Sequence, residues 1–201
     1  MASLYDLKPA FQQCLRPCVR LLARAGVTPN QVTTTALLLS CILGGLIVVF
    51  PAQRWPLLLV PAGLLVRMAL NAIDGVLARE HGMQSRLGGL LNELGDVWSD
   101  AALYLPFGLV PGVSPYLLVP TVVLAGISEM AGVVPMQIGA ERRYEGPMGK
   151  SDRALVFGAL ALLLGLGVPG GSWIALLLLI TAALLLVTIV NRIRAGLREV
   201  A

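Results

Sequence analysis

Residues 71–100 read NAIDGVLAREHGMQSRLGGLLNELGDVWSD, and this stretch decides how the chain folds. It sets carboxylates and amides at helical spacing inside segments otherwise apolar enough to lie in a bilayer. On an ideal helix Arg67, Asn71, Asp74 and Ala78 fall within about 60° of one another, and Asn92, Glu93, Asp96 and Asp100 share an arc of about 100°. The polar loop around His81 to Ser85 separates the two runs. The pattern predicts an antiparallel helical pair in which Asp74 and Asn92 face each other roughly 13 Å below the loop. So many polar groups are costly in lipid unless they line a wet cavity or bind ions. The stretch reads as a site.

Outward from it, the chain is a membrane protein by composition. Of its 201 residues 57% are hydrophobic and 13% are charged, about half the charged share of a soluble domain. Residues 3–24 space Leu4, Leu7, Phe11, Leu15, Val19 and Leu22 three or four apart, with Lys8, Arg16, Arg20 and Arg24 between them, as in an amphipathic helix on a membrane surface. Thr28 suits a helix cap and Pro29 the first turn after it. Six apolar segments follow, beginning near Val32, Trp55, Arg86, Tyr116, Ala154 and the residue after Gly171. The expected organisation is one domain, with residues 1–27 as the surface helix and 28–201 as a six-span bundle. No signal-peptide pattern is present at the N-terminus.

Charge gives the orientation. The N-terminal helix, the loops at 79–86 and 140–153 and the C-terminus hold all but Arg54 and Arg67 of the 15 Lys and Arg. By the positive-inside rule the termini and the site face the cytoplasm. The bases are scattered without aromatic interleaving, which excludes a nucleic-acid partner. Cys14, Cys18 and Cys41 form neither a metal pattern nor a disulfide framework.

Oxygen ligands on facing helices suit hard cations such as Mg²⁺ or Mn²⁺. Gly75, Gly88 and Gly89 leave backbone open to close approach. Arg79, Arg142, Arg143, Lys150 and Arg153 would ring the cytoplasmic mouth and hold phosphate. Together these point to metal-assisted phosphoryl or phosphatidyl transfer. The bland alternative is an interhelical polar clasp, with Arg67 paired to Asp74 or Glu129. His81 is expected to be solvated, and Trp55 and Tyr116 to anchor span ends.

DGVLAR, then eight residues, Gly88, and Asp96 eight positions further, resembles the signature of the CDP-alcohol phosphatidyltransferases, D-x2-D-G-x2-A-R-x8-G-x3-D-x3-D. TPNQVT at residues 28–33 is similar to another segment of that family. The resemblance implies a surface helix with six spans, a homodimer, and transfer of a phosphatidyl group from CDP-diacylglycerol to a hydroxyl acceptor with release of CMP. It implies divalent metals held at Asn71, Asp74, Asn92 and Asp96, with Asp96 as general base. It further implies a donor site bordered by Gly75, Ala78, Arg79 and Gly88, and by Asn30 and Thr33. The bases of the 140–153 loop, Lys150 and Arg153 among them, would favour glycerol phosphate or an inositol phosphate as acceptor. The expected setting is the inner membrane, among its lipids.

The first and third signature aspartates are Asn71 and Asn92 here. The four positions then supply about −2 instead of −4. Glu93 and Asp100, on the flanks of the same stripe, could substitute as metal ligands. Other possibilities are a single metal, a larger share of ligation by the donor's diphosphate, or loss of transfer, leaving a CDP-lipid-binding protein. A small ion or proton transporter is the rival from another class; the chain shows no repeated half to support it.

Overall fold

The computed structural model describes residues 8–201; the expected helical positions 3–7 lie outside the described residues. Those described form seven helices and no strand: α1 Lys8–Arg24, α2 Pro29–Val49, α3 Trp55–Glu80, α4 Arg86–Tyr104, α5 Pro115–Val133, α6 Lys150–Gly165 and α7 Ser172–Val200. Short 3-10 turns, Leu105–Leu109 and Val134–Ile138, extend α4 and α5. α2 starts at Pro29, as the Thr28 cap predicts, three residues ahead of the uncharged run from Val32; Thr28 and Gln31 cap it reciprocally, Thr28 N–H donating to Gln31 Oε1 at 2.9 Å. α6 starts four residues before the expected Ala154. There Gly149 N–H donates to Asp152 Oδ2 at 2.9 Å, which ends the loop early.

Among the described residues, four helical segments are long and apolar enough to cross a bilayer: Pro29–Val49, Trp55–Glu80, Pro115–Ile138 and Ser172–Val200. Their outward faces carry exposed Leu38, Ile42, Leu65, Leu176 and Leu179, the apolar exterior of a protein solvated by lipid. α4 is too polar, and α6 at 16 residues too short, to qualify alone.

The bundle has an apolar half and a polar half. Its main core gathers Ile47, Val60, Leu64, Tyr104, Phe107, Leu118, Phe157, Leu160 and Leu178. These lie toward the end where the turns after α2, α4 and α6 meet. At that end Gly112 and Gly170 approach so closely that a Cβ on Gly112 would lie 2.8 Å from the Gly170 Cα. Tyr104 and Phe157 stack there with ring centroids 3.9 Å apart. At the opposite end α1 lies across α3, burying Val19 against Val32, Ile73, Val76 and Leu77; Arg16 pairs with Glu80 at 3.1 Å.

The expected direct pairing of α3 and α4 is corrected. Both pack on α2 and hardly touch one another. The reason lies in the three faces. α2 offers small residues: a Cβ on Gly44 would lie 2.0 Å from the Ala102 carbonyl oxygen of α4. The facing stripes of α3 and α4 are instead polar and close poorly in a low-dielectric setting. Asn71, Gly75 and Ala78 of α3 and Asn92 of α4 stay partly exposed there, and this polar opening beside α2 is the cleft.

Candidate functional site

Three helices wall the cleft. From α2, Thr33 Oγ1 donates to Asp74 Oδ2 on α3 at 2.8 Å; Thr33 also reaches α4, where a Cβ on Gly95 would meet its methyl at 3.5 Å. Thr33 thus bridges Asp74 to the turn that carries Asp96, and the two carboxylates are close enough to repel one another. Nearer the mouth Asn30 abuts Gly88, whose missing Cβ would fall 2.7 Å from Asn30 Oδ1. Ser85 Oγ accepts from Gly88 N–H at 2.9 Å and caps α4 at this point. Arg79 is exposed and folds back over Gly75, with its guanidinium nitrogens 3.3 Å from where a Cβ would stand.

Below the cleft lies a buried ionic network. Arg67 Nη1 donates to Asp100 Oδ1 at 2.6 Å, and its Nη2 donates to the Asp96 carbonyl oxygen at 3.2 Å. Arg153, fully buried on α6, donates through Nε to Asp100 Oδ2 at 2.9 Å and through Nη2 to Glu129 Oε1 at 2.7 Å. Arg192 of α7 reaches Glu129 Oε2 at 3.6 Å and donates to the Ser128 carbonyl. Above the network Lys150 Nζ donates to Asp96 Oδ1. Arg142 Nη2 donates to Glu93 Oε2 at 2.8 Å and to Glu129 Oε2 at 3.5 Å. With Asp74, five acidic and five basic side chains converge, and their formal charges cancel.

The expected ring of phosphate-binding bases is corrected in part. Arg153 is sealed beneath the site, not at the mouth. Arg142 is held by Glu93 and lies over the Tyr144 ring at 4.3 Å. Burial works to discharge Arg142, but Glu93 outweighs it and holds its pKa above the ordinary guanidinium value. Arg143 pairs with Glu145 and Glu199. Arg67 pairs with Asp100, not with Asp74 or Glu129. Asp100 has both oxygens engaged by arginines and Glu93 is engaged by Arg142, so neither stands open as a substitute ligand.

Asn30, Thr33, Asn71, Asp74, Gly75, Ala78, Arg79, Gly88, Asn92 and Asp96 all belong to the three helices around the cleft. Sequence reading missed the roles of Ser128 and Arg192. Glu129 inside an apolar helix was a signal that buried bases must come to it, but not from where.

The donor set can be weighed for a divalent ion. Asp74 with amide oxygens of Asn71 or Asn92 is hard-ligand chemistry. Asn71 Nδ2 is buried without a hydrogen-bond partner among the described residues, so one face of that amide is left for a ligand. Turned over, the amide presents its oxygen to a cation; as placed, it suits a phosphate oxygen. The set offers a hard cation one free carboxylate, Asp74, since two of the four signature positions are amides and Asp96 already bears an ammonium. Among the described residues, no three His, Cys, Asp or Glu side chains converge as a metal-holding group.

Comparison with known proteins gives the family and the fold. The CDP-alcohol phosphatidyltransferase profile matches residues 26–190. "Inner membrane protein YnbA" of Escherichia coli K12 is 45% identical over 195 residues, covering 97% of this chain and 96% of that protein. An archaetidylinositol phosphate synthase of Pyrococcus horikoshii is 35% identical over 112 residues, 54% of each chain. The phosphatidylinositol phosphate synthase PgsA1 of Mycobacterium tuberculosis, solved with CDP-DAG bound, superposes with a TM-score of 0.71 at 19% identity, over 90% of this chain and 92% of that one. The same enzyme in complex with manganese and citrate gives 0.70 at 19% identity, over 90% and 88%.

Proposed function

The chain belongs to the CDP-alcohol phosphatidyltransferase family, and from that premise we propose that it transfers a phosphatidyl group from CDP-diacylglycerol to a hydroxyl acceptor in the inner membrane. The observation that carries this reading is the three-helix cleft in which Thr33 ties Asp74 to the turn of Asp96. The diphosphate lies in the cleft, with Arg79 folded over Gly75 to meet it from the mouth. Asn30 and Thr33 border the nucleotide. A groove of about 190 Å³ lined by Thr33, Leu37, Leu91, Leu94 and Trp98 shares Thr33 with the cleft and is apolar enough to take an acyl chain. The acceptor oxygen attacks the phosphorus that bears diacylglycerol, its proton passes to Asp96, and the bond to CMP breaks. The chemistry that Mg²⁺ or Mn²⁺ supplies, when held beside Asp74 with Asn71 and Asn92, is neutralisation of the diphosphate.

Glycerol phosphate or an inositol phosphate is the proposed acceptor. The named activity of the Pyrococcus and Mycobacterium proteins supports the inositol phosphate of the two, since most loop bases are committed to acids. We place α2 to α7 across the membrane, both termini and the cleft on the cytoplasmic side, and two copies in a homodimer. The bases around α1, the loop before α6 and the end of α7 support that orientation.

A second reading, CDP-lipid binding without turnover, draws on one observation: Asp96 is already held by Lys150. The deciding experiment is CMP release by the detergent-purified protein, given CDP-diacylglycerol, Mg²⁺ or Mn²⁺, and a panel of glycerol phosphate, serine, inositol, inositol phosphate and glycerol. Metal-dependent release with one acceptor establishes transfer. Donor binding with no release across the panel overturns it in favour of the second reading.

A further inference from the structure

We propose that Lys150 is a built-in second cation of the site: its ammonium on Asp96 takes the place of one divalent ion, and the chain works with a single metal. The inference rests on the transfer reading above and deepens it. Two independent features of the chain point the same way. Asn71 and Asn92 each lack a negative charge that the signature of the family would bring, and Lys150 brings a positive charge to one of the two carboxylates that remain.

The ammonium is placed by the fold, not by chance contact of a surface side chain. Lys150 opens α6, and Arg153 follows it on the same face, three residues on. On α4, Asp96 and Asp100 are four apart, again on one face. The two helices meet as two rungs: Lys150 on Asp96 near the cleft, and Arg153 on Asp100 beneath it, the latter at 2.9 Å. Since Arg153 is wholly buried and also bound to Glu129 at 2.7 Å, the lower rung fixes the register of the upper one. The Lys150 side chain is 27% exposed and that of Asp96 12%. The pair therefore borders the cleft.

Charge then limits the metal count. The five acids and five bases of the site cancel, so the cleft is formally neutral before anything binds. The donor diphosphate brings about −2, and one divalent ion restores neutrality. A second would leave about +2 in a partly buried cavity, where uncompensated charge is costly. Arg79, which meets the diphosphate from the mouth, adds a further positive charge and so also weighs against a second ion.

The test counts Mn²⁺ on the detergent-purified full chain with CDP-diacylglycerol, by equilibrium dialysis with metal analysis and by electron paramagnetic resonance. One Mn²⁺ per chain with no spin–spin coupling is expected, and Lys150→Arg should keep that count. The triple variant Lys150→Met/Asn71→Asp/Asn92→Asp should bind two, with an exchange-coupled spectrum. Two coupled ions on the wild-type chain, or none, would overturn the proposal. So would a triple variant that elutes as folded protein yet still binds one. The wild-type count decides even where the triple variant does not fold. Failure of transfer is read separately: one bound ion without CMP release leaves this inference standing and sinks the transfer reading.

Discussion

Arg67 on α3 and Asp100 on α4 are joined Nη1 to Oδ1 at 2.6 Å, although their helices hardly touch. The ion pair spans the floor of the cleft, and the same guanidinium holds the carbonyl of Asp96 at 3.2 Å. Removing one partner leaves a buried charge exposed to low dielectric, at a cost of about 3–5 kcal/mol. Arg67→Met is expected to lower the thermal unfolding midpoint in detergent by several degrees. An unchanged midpoint would mean that Arg153 alone satisfies Asp100.

Asp96→Ala should lower metal-dependent CMP release by about 10²- to 10⁴-fold, the range of a lost general base. Asp74→Ala should abolish the same activity. Thr33→Val removes the hydrogen bond to Asp74 but keeps the shape. It is expected to weaken the site by about 0.5–1.5 kcal/mol, read as a roughly 2- to 10-fold loss of kcat/KM for the donor. An Asp96→Ala protein working at the wild-type rate would remove Asp96 from the mechanism.

Glycines make a graded series. Gly44→Ala would drive a methyl to 2.0 Å from the Ala102 carbonyl and should prevent accumulation of folded protein. Gly88→Ala meets the movable Asn30 side chain at 2.7 Å and should fold. Its expected defect is a raised KM for CDP-diacylglycerol. Equal expression of both variants would contradict the close α2–α4 packing.

The loop before α6 should loosen in acid. Burial pushes the Glu145 carboxyl up, but the Arg143 guanidinium and two backbone N–H groups outweigh it and hold it below the ordinary carboxylate range. A depressed carboxylate stabilises the fold above its unfolded pKa, and the contribution disappears as pH falls through the folded value. Limited proteolysis between residues 139 and 149 should therefore be flat near neutrality and rise only in acid below the usual Glu range. Glu145→Gln should show the acid pattern already at pH 7. A cleavage rate independent of pH would discount the pair.

Local signals were legible in the sequence and distant pairings were not. Thr28, Pro29 and Ser85 act on their own turns, so the starts of α2 and α4 could be read directly. Asp74 and Asp96 stood out because charge inside an apolar run has few uses. The partner of each base was hidden, since periodicity says which face a residue occupies and nothing about which helix lies opposite. Arg153 looked like a loop base because the early start of α6 depends on a single side chain, Asp152. The insertion of α2 between α3 and α4 also left no mark, because the small residues that permit it, Gly44 above all, are common in membrane helices for many reasons.

The rung between Arg153 and Asp100 bears on how the protein is made. α4 leaves the ribosome with Asn92, Glu93, Asp96 and Asp100 on one stripe, and the base that neutralises Asp100 from α6 lies 53 residues later in the chain. Arg67, already synthesised, can shield it only partly. α4 is thus a poor substrate for release into lipid by itself. The polar stripe of α4 is balanced in full only once α6 is in place, so the cleft is completed by assembly order and not by any single helix.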